Sequence, residues 1–156
     1  NESFLTAPQV RFDEERNINK AMLAIAQDNV VTAVHDVSQG GVWQTLVEMI
    51  AGDRNWPFVG ATIHCPQTID PFSLLFSESG GYICEVKDEN LDQFIKHCGK
   101  NNVTPYNIGM ITLNKEINVF QYENHLISLS LNDVMKSWNS KNLDTPGTPI
   151  YNNDIG

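Results

Sequence analysis

Two short stretches of this chain set a glycine pair after an acid, and the first carries residue types suited to phosphate chemistry. The first is H-D-V-S-Q-G-G, His35 to Gly41, which lies between an apolar β-type run and an amphipathic segment. Glycine weakens a helix interior by roughly 0.5–1 kcal/mol relative to alanine, so a pair at a helix entrance needs a reason. A strand ending in Asp36, with Ser38 as N-cap, puts Gly40 and Gly41 in the first helical turn. There the free N–H groups point outward and the helix dipole favours an anion. Without Cβ atoms, the two positions admit a ligand close to the backbone, which is the geometry of a phosphate cradle. A tight turn with no ligand would use the same residues. The second stretch, F-S-E-S-G-G at 76–81, again sets a glycine pair after an acid, here ahead of a strand. Glu78 and Ser79 read locally as a cap and a turn residue.

Other reactive side chains point elsewhere. His64–Cys65 and His97–Cys98 invite a metal reading. Neighbouring residues, however, face opposite sides of a strand and lie about 100° apart on a helix, so metal is not expected. His35, at a strand end, reads as a hydrogen-bonded structural residue rather than a base. Trp43 and Trp138 read as core or interface anchors.

The elements that must position the two stretches follow from periodicity. F-D-E-E-R-N-I-N-K-A-M-L-A-I-A-Q-D-N offers Asp13 as N-cap and a stripe of Ile18, Met22 and Ile25, predicting a helix over 14–28. The β-branched run at 30–36 predicts a buried strand ending in His35 and Asp36. Val42, Leu46, Met49 and Ile50 share a face of the next helix, which Gly52 stops. Residues 53–60 read as a loop, 60–66 as a strand and 70–76 as a helical turn. A strand from Tyr82 precedes a helix capped by Asp88, with Leu91, Phe94, Ile95 and Cys98 as its buried stripe. Three strands follow, within 106–112, 117–123 and 126–131, the last two joined by a turn around Asn124. A final helix is capped by Asn132. The expected fold is α+β, a mixed sheet flanked by helices, with a right-handed crossover from Tyr82 to Thr112 inside one sheet. Residues 1–142 read as one domain and the Pro/Gly/Asn-rich 143–156 as a flexible tail.

Composition narrows the partners. The chain has 156 residues, 41% of them hydrophobic, enough for one ordinary core. Ten Lys plus Arg against nineteen Asp plus Glu give a net charge of −9, which opposes nucleic acid or an anionic membrane as partner. Backbone amides can still hold a small phosphate. Three cysteines without C-x-x-C spacing, no signal-type start and no run of ~18 apolar residues suit a cytoplasmic protein.

Residues 31–52, V-T-A-V-H-D-V-S-Q-G-G-V-W-Q-T-L-V-E-M-I-A-G, resemble the H-D-x-S-x-G-G segment of phosphoribosylformylglycinamidine synthase, within the aminoimidazole ribonucleotide (AIR) synthetase superfamily. L-F-S-E-S-G-G-Y-I-C-E-V at 75–86 is similar to a second family segment, and L-S-L-N-D-V-M-K-S-W at 129–138 to its closing helix. The similarity runs from about residue 12 to 141. Gln39 stands where that family often has an acid, and Gly80 where it usually has Gln. The resemblance implies an AIR synthase C-terminal-domain-like fold and a role in an ATP- and Mg2+-dependent ligase of purine biosynthesis. In that reaction the amide oxygen of formylglycinamide ribonucleotide is phosphorylated and glutamine-derived ammonia displaces the phosphate. It further implies that Ser38, Gly40 and Gly41 hold a phosphate of substrate or nucleotide, with Asp36 shaping the turn. Glu78, Ser79 and Gly80 would line the same cleft. The implied partners are an N-terminal AIR synthase-like domain and a glutaminase subunit or domain. The isolated domain is then expected to be inactive, with neither ATP nor Mg2+ bound tightly. The alternatives are a structural or assembly domain, or a domain of another enzyme of the superfamily.

Overall fold

The computed structural model describes residues 11–51 and 59–139, with side chains through 137. Gly52, most of the 53–60 loop, the Trp138 side chain and the 143–156 tail lie outside the described residues. Helix α1 spans Phe12–Gln27, strand β1 Ala33–Asp36, helix α2 Gly41–Ile50, strand β2 Gly60–Cys65 and helix α3 Pro71–Phe76. Strand β3 spans Tyr82–Glu85, and a 3-10 turn, Asp88–Asn90, leads into helix α4, Leu91–Lys100. Strands β4, Gly109–Thr112, β5, Glu116–Gln121, and β6, Asn124–Ser130, precede helix α5, Leu131–Asn139. The order of helices and strands is the one periodicity predicts.

The pairing of the strands differs from expectation. They form two sheets, a two-stranded ribbon β1-β3 and a mixed four-stranded sheet in the order β4-β2-β5-β6. In the larger sheet β2 runs parallel to β5, while β2–β4 and β5–β6 are antiparallel. The crossover from Tyr82 to Thr112 within one sheet is therefore a wrong expectation: β3 joins β1, and β4 joins β2. Pairing with β1 uses both faces of β3. Ile83 packs into the main core, and the Cys84 thiol lies 3.8 Å from Met22 Sδ on α1.

The main core joins Leu46, Val47 and Ile50 of α2, Leu75 of α3 and Leu131 of α5 to Ala61, Ile63, Cys65, Ile117 and Val119 of the large sheet. On α2, Val47 is buried and Met49 is not, because the helix also packs on α3 and not on the sheet alone. A smaller core of Ile25, Val30 and Cys98 packs α1 on α4. Burying one Leu or Ile side chain contributes about 1.5–3 kcal/mol. Exposed pairs such as Arg11–Glu14 and Arg16–Asp13 contribute about 0–1, so apolar burial dominates.

The caps fall on other residues than the ones expected. Helix α1 is preceded by Arg11 at its N-cap, and Asp13 sits inside the first turn, where an acid suits the dipole. Asp88 starts the 3-10 turn, which moves the start of α4 to Leu91. Asn124 opens β6, and the turn itself is Tyr122–Glu123. The α5 cap is Ser130, not Asn132: Ser130 Oγ accepts from the Asp133 amide at 3.2 Å and donates to its carboxylate at 2.7 Å. The Ser130 hydroxyl, then Lys136, hold the Asp133 carboxyl below its usual range. That stabilisation is present above the ordinary carboxylate value and lost as pH falls through the depressed folded value. Ser130→Ala is expected to lower stability by about 1 kcal/mol near neutral pH. The gap to the parent should shrink on acidification, as read by urea unfolding at several pH values.

Candidate functional site at the entrance of helix α2

The two glycine-rich stretches meet at one end of the β1-β3 ribbon. Asp36 and Tyr82 are register partners, and the Val37 amide donates to the Gly81 carbonyl at 2.9 Å. This stitch places the β1–α2 loop beside the α3–β3 loop. Ser38 and Gln39 are exposed, and the Gly41 amide donates back to the Ser38 carbonyl at 3.0 Å. The N-cap of α2 is Gly40, in the left-handed region with φ +81°, and no side chain caps it. Ser38 is thus not the N-cap, as had been expected: the turn it opens inserts two residues between it and the helix, and its carbonyl rather than its hydroxyl closes that turn.

The two glycines have different reasons to be there. Gly41 is buried at φ +67°, and a Cβ on it would come within 2.8 Å of Leu75 O, Phe76 C and Ser77 O. Its missing side chain makes room for the backbone at the end of α3, not for a ligand. Gly40 is half-exposed, and its amide donates to Glu78 Oε1 at 2.8 Å. The helix entrance thus already holds an anion, the protein's own carboxylate. A carboxylate at a helix N-terminus is favoured by both the dipole and a charge-assisted hydrogen bond.

Each predicted residue can now be placed. Asp36, Ser38, Gly40, Glu78, Ser79 and Gly80 lie on the two adjoining loops, and Gly41 lies beneath them. Gly80, at φ +81°, approaches Glu15 of α1, whose Oε1 would stand 3.2 Å from a Cβ there. A side chain at Gly80 would be strained. The Asp36 side chain is 64% exposed. Glu78 on the Gly40 amide and Glu15 beside Gly80 thus put two carboxylates near the entrance.

Periodicity alone missed the residues that hold the loop from the α2 side. Thr45 is buried, and its hydroxyl lies 3.2 Å from the Asp36 carbonyl and 3.1 Å from the Gly41 carbonyl. His35, Glu48 and Gln44 form a further chain of contacts. The signal that could have found them is a run of polar residues, Gln44, Thr45 and Glu48, in the first turns of an apolar helix beside a strand-end histidine.

The remaining candidates make local contacts. His64 stacks on Phe120 with ring centroids 5.7 Å apart, and His97 Nε2 lies 2.9 Å from Asp28 Oδ2. Among the described residues no three His, Cys, Asp or Glu side chains converge to hold a metal. Burial raises all three thiols, and Cys84 reaches about 11 through burial and then the neighbouring Cys98. Trp43 packs against the main core, its ring 6.4 Å from Phe76. A shallow concavity of about 380 Å³ runs between α2 and α5, with Trp43, Val47, Leu129 and Val134 among its walls. None of the predicted site residues lines it.

Fold and loops together define an α+β domain that presents two glycine-rich turns at one helix entrance. Its sequence matches the family described as AIR synthase related protein, C-terminal domain, over residues 2–121, and the chain belongs to that family. It is 35% identical over 106 residues to phosphoribosylformylglycinamidine synthase subunit PurL of Rhodococcus jostii, covering 67% of this chain and 13% of that protein. It is 26% identical over 155 residues to a probable membrane antigen 75 of Saimiriine herpesvirus 2, covering 96% of this chain and 12% of that protein. The chain thus spans only about an eighth of the length of these relatives. Among solved structures, that of PurLQS from Thermotoga maritima superposes with a TM-score of 0.72 at 15% identity, over 85% of this chain and 23% of that one. T. maritima PurL complexed with FGAR superposes at 0.66 and 16% identity, over 78% and 21%, as does the same protein complexed with ATP. At such identities the superpositions establish the fold.

Proposed function

We propose that this chain is the C-terminal domain of an ATP-dependent phosphoribosylformylglycinamidine synthase, and that its α2 entrance holds a phosphate of the ribonucleotide substrate or the nucleotide. The observation that carries the reading is the Gly40 amide, aimed at an anion supplied by the second glycine-rich loop. Glu78 acts as a placeholder there. An incoming phosphate takes over the Gly40 amide and gains the dipole of α2, while Ser38 and Ser79 supply hydroxyls from the two loops. Phosphoryl transfer depends chiefly on positioning and charge neutralisation, so a phosphate cradle is a substantive share of the work.

In this reading ATP would supply the phosphoryl group and Mg2+ would offset its charge. The described residues fit a supporting role only. Among the described residues no three acidic or imidazole side chains converge, so a Mg2+ ion near the entrance would be held mainly by phosphate oxygens and water. The chain alone is proposed to be inactive and to bind neither ATP nor Mg2+ tightly. An N-terminal AIR synthase-like domain and a glutaminase complete the enzyme in this reading, and a cytoplasmic location suits it. No described helix is long and apolar enough to cross a membrane.

Titration with formylglycinamide ribonucleotide or ribose 5-phosphate, followed by amide NMR, tests the proposal. Shifts are expected within 36–42 and 77–81, and their absence at millimolar ligand sinks the cradle. Glu78→Gln, which removes the competing charge, is expected to tighten binding about three- to tenfold. Weaker binding in that variant would instead make Glu78 a direct ligand contact.

A further inference from the structure

An apolar strip stays exposed where α2, α3 and α5 meet the solvent. Phe72 of α3 is 72% exposed and Phe76 is 44% exposed. Their rings stack with centroids 6.1 Å apart, and Phe76 in turn lies 6.4 Å from the half-buried Trp43 ring of α2. Past Trp43 the strip enters the concavity between α2 and α5, where Val47, Leu129 and Val134 continue it. A connected series of this kind, unlike a scatter of single apolar residues, marks a docking surface.

The chain itself continues from one wall of that concavity. Asp133, Val134 and Ser137 of α5 line it, and α5 ends at Asn139, just past Ser137. Residues 140–156 lie outside the described residues and include P-G-T-P-I-Y at 146–151. A Pro-x-x-Pro segment favours the polyproline II helix, which has little backbone freedom left to lose, and such segments dock in grooves lined by aromatic rings. Pro146 stands seven positions beyond Asn139, a reach of at most about 25 Å. Helix α5, nine residues long, measures about 14 Å, so the segment can reach any point along that wall. Residues 146–151 carry no charge, and the net −9 of the chain does not repel them as it would a second copy. A short tether also sets an effective concentration in the millimolar range, enough to fill a groove that a separate peptide would leave empty.

We propose that residues 146–151 dock in an extended, polyproline-like conformation on this strip, with their prolines against Trp43 and Phe76. The tail is then a tethered ligand of its own domain. The proposal is independent of the phosphate reading, because none of the residues of that site lines the concavity.

NMR of the Trp43 indole N–H tests it, with the resonance assigned by its loss in Trp43→Phe. The double variant Pro146→Ala, Pro149→Ala alters no described residue, and it is expected to shift the indole and the Val47 and Val134 methyl resonances while the amides of the β1-β3 ribbon stay in place. Ending the chain at residue 142 should shift the same resonances further in the same direction. A peptide of residues 143–156 added to that shorter chain should bring them back only at millimolar concentration. An indole resonance that ignores the double variant overturns the proposal, whether or not the shorter chain folds. So does a parent resonance that moves on dilution, which would make the occupant the tail of a second copy.

Discussion

Gly41→Ala is expected to remove about 2–5 kcal/mol of folding stability, which is a large share of the roughly 5–15 kcal/mol that holds an ordinary domain together. Two separate effects add. A Cβ at φ +67° costs about 1–2 kcal/mol in backbone strain. The same Cβ would press to 2.8 Å on Leu75 O, Phe76 C and Ser77 O, and all three atoms are main chain. No side chain can swing aside, so α2 and α3 must separate, an overpacking cost of about 1–3 kcal/mol. Urea unfolding followed by circular dichroism measures the sum. A midpoint equal to the parent's would show that the entrance of α2 does not pack on the end of α3.

Gly40→Val is expected to weaken ribonucleotide binding at least about tenfold and to lower stability as well. Its Cβ would meet Gln44 Cβ at 2.6 Å, an atom that rotation of the Gln44 side chain does not move, so the first turn of α2 must shift. Binding suffers as well, because the branched side chain covers the amide now bonded to Glu78 and displaces Gln44 from Glu48. A β-branched residue at φ +81° is also strained. Calorimetry with ribose 5-phosphate, run beside urea unfolding, separates the two costs. Binding equal to the parent's in a folded Gly40→Val would end the cradle reading.

How much of this was legible in the sequence depends on whether the relevant contact is local. Helix α2 and its apolar face follow from Val42, Leu46 and Ile50 at helical spacing, and the buried β5 from its β-branched residues. Those signals lie within a few residues of one another. The partner of β3 did not show, because a four-residue strand with half-buried residues on each face carries no mark of which edge it joins. The N-cap was misplaced for a related reason. Ser38 is the residue type that caps, but the Gly40–Gly41 pair lets the chain close a turn before the helix starts, and residue type alone does not report that turn. The resemblance set Glu78 beside the first glycine-rich stretch, and the fold does bring the two loops together. That its carboxylate would occupy the Gly40 amide is a matter of distance across 38 positions of sequence, and only the folded chain displays it.

The Val37–Gly81 stitch and the β1-β3 ribbon carry a thermodynamic consequence. Neither loop forms the entrance alone, so a ligand that binds as proposed would lose its site in the same event as this pairing. Occupancy is thereby linked to global folding: a guest at a hundredfold excess over its Kd raises the unfolding free energy by about 2.7 kcal/mol. Melting temperature becomes a reporter of ligand identity, and a panel of sugar phosphates and nucleotides can be ranked by heating the protein with each in turn.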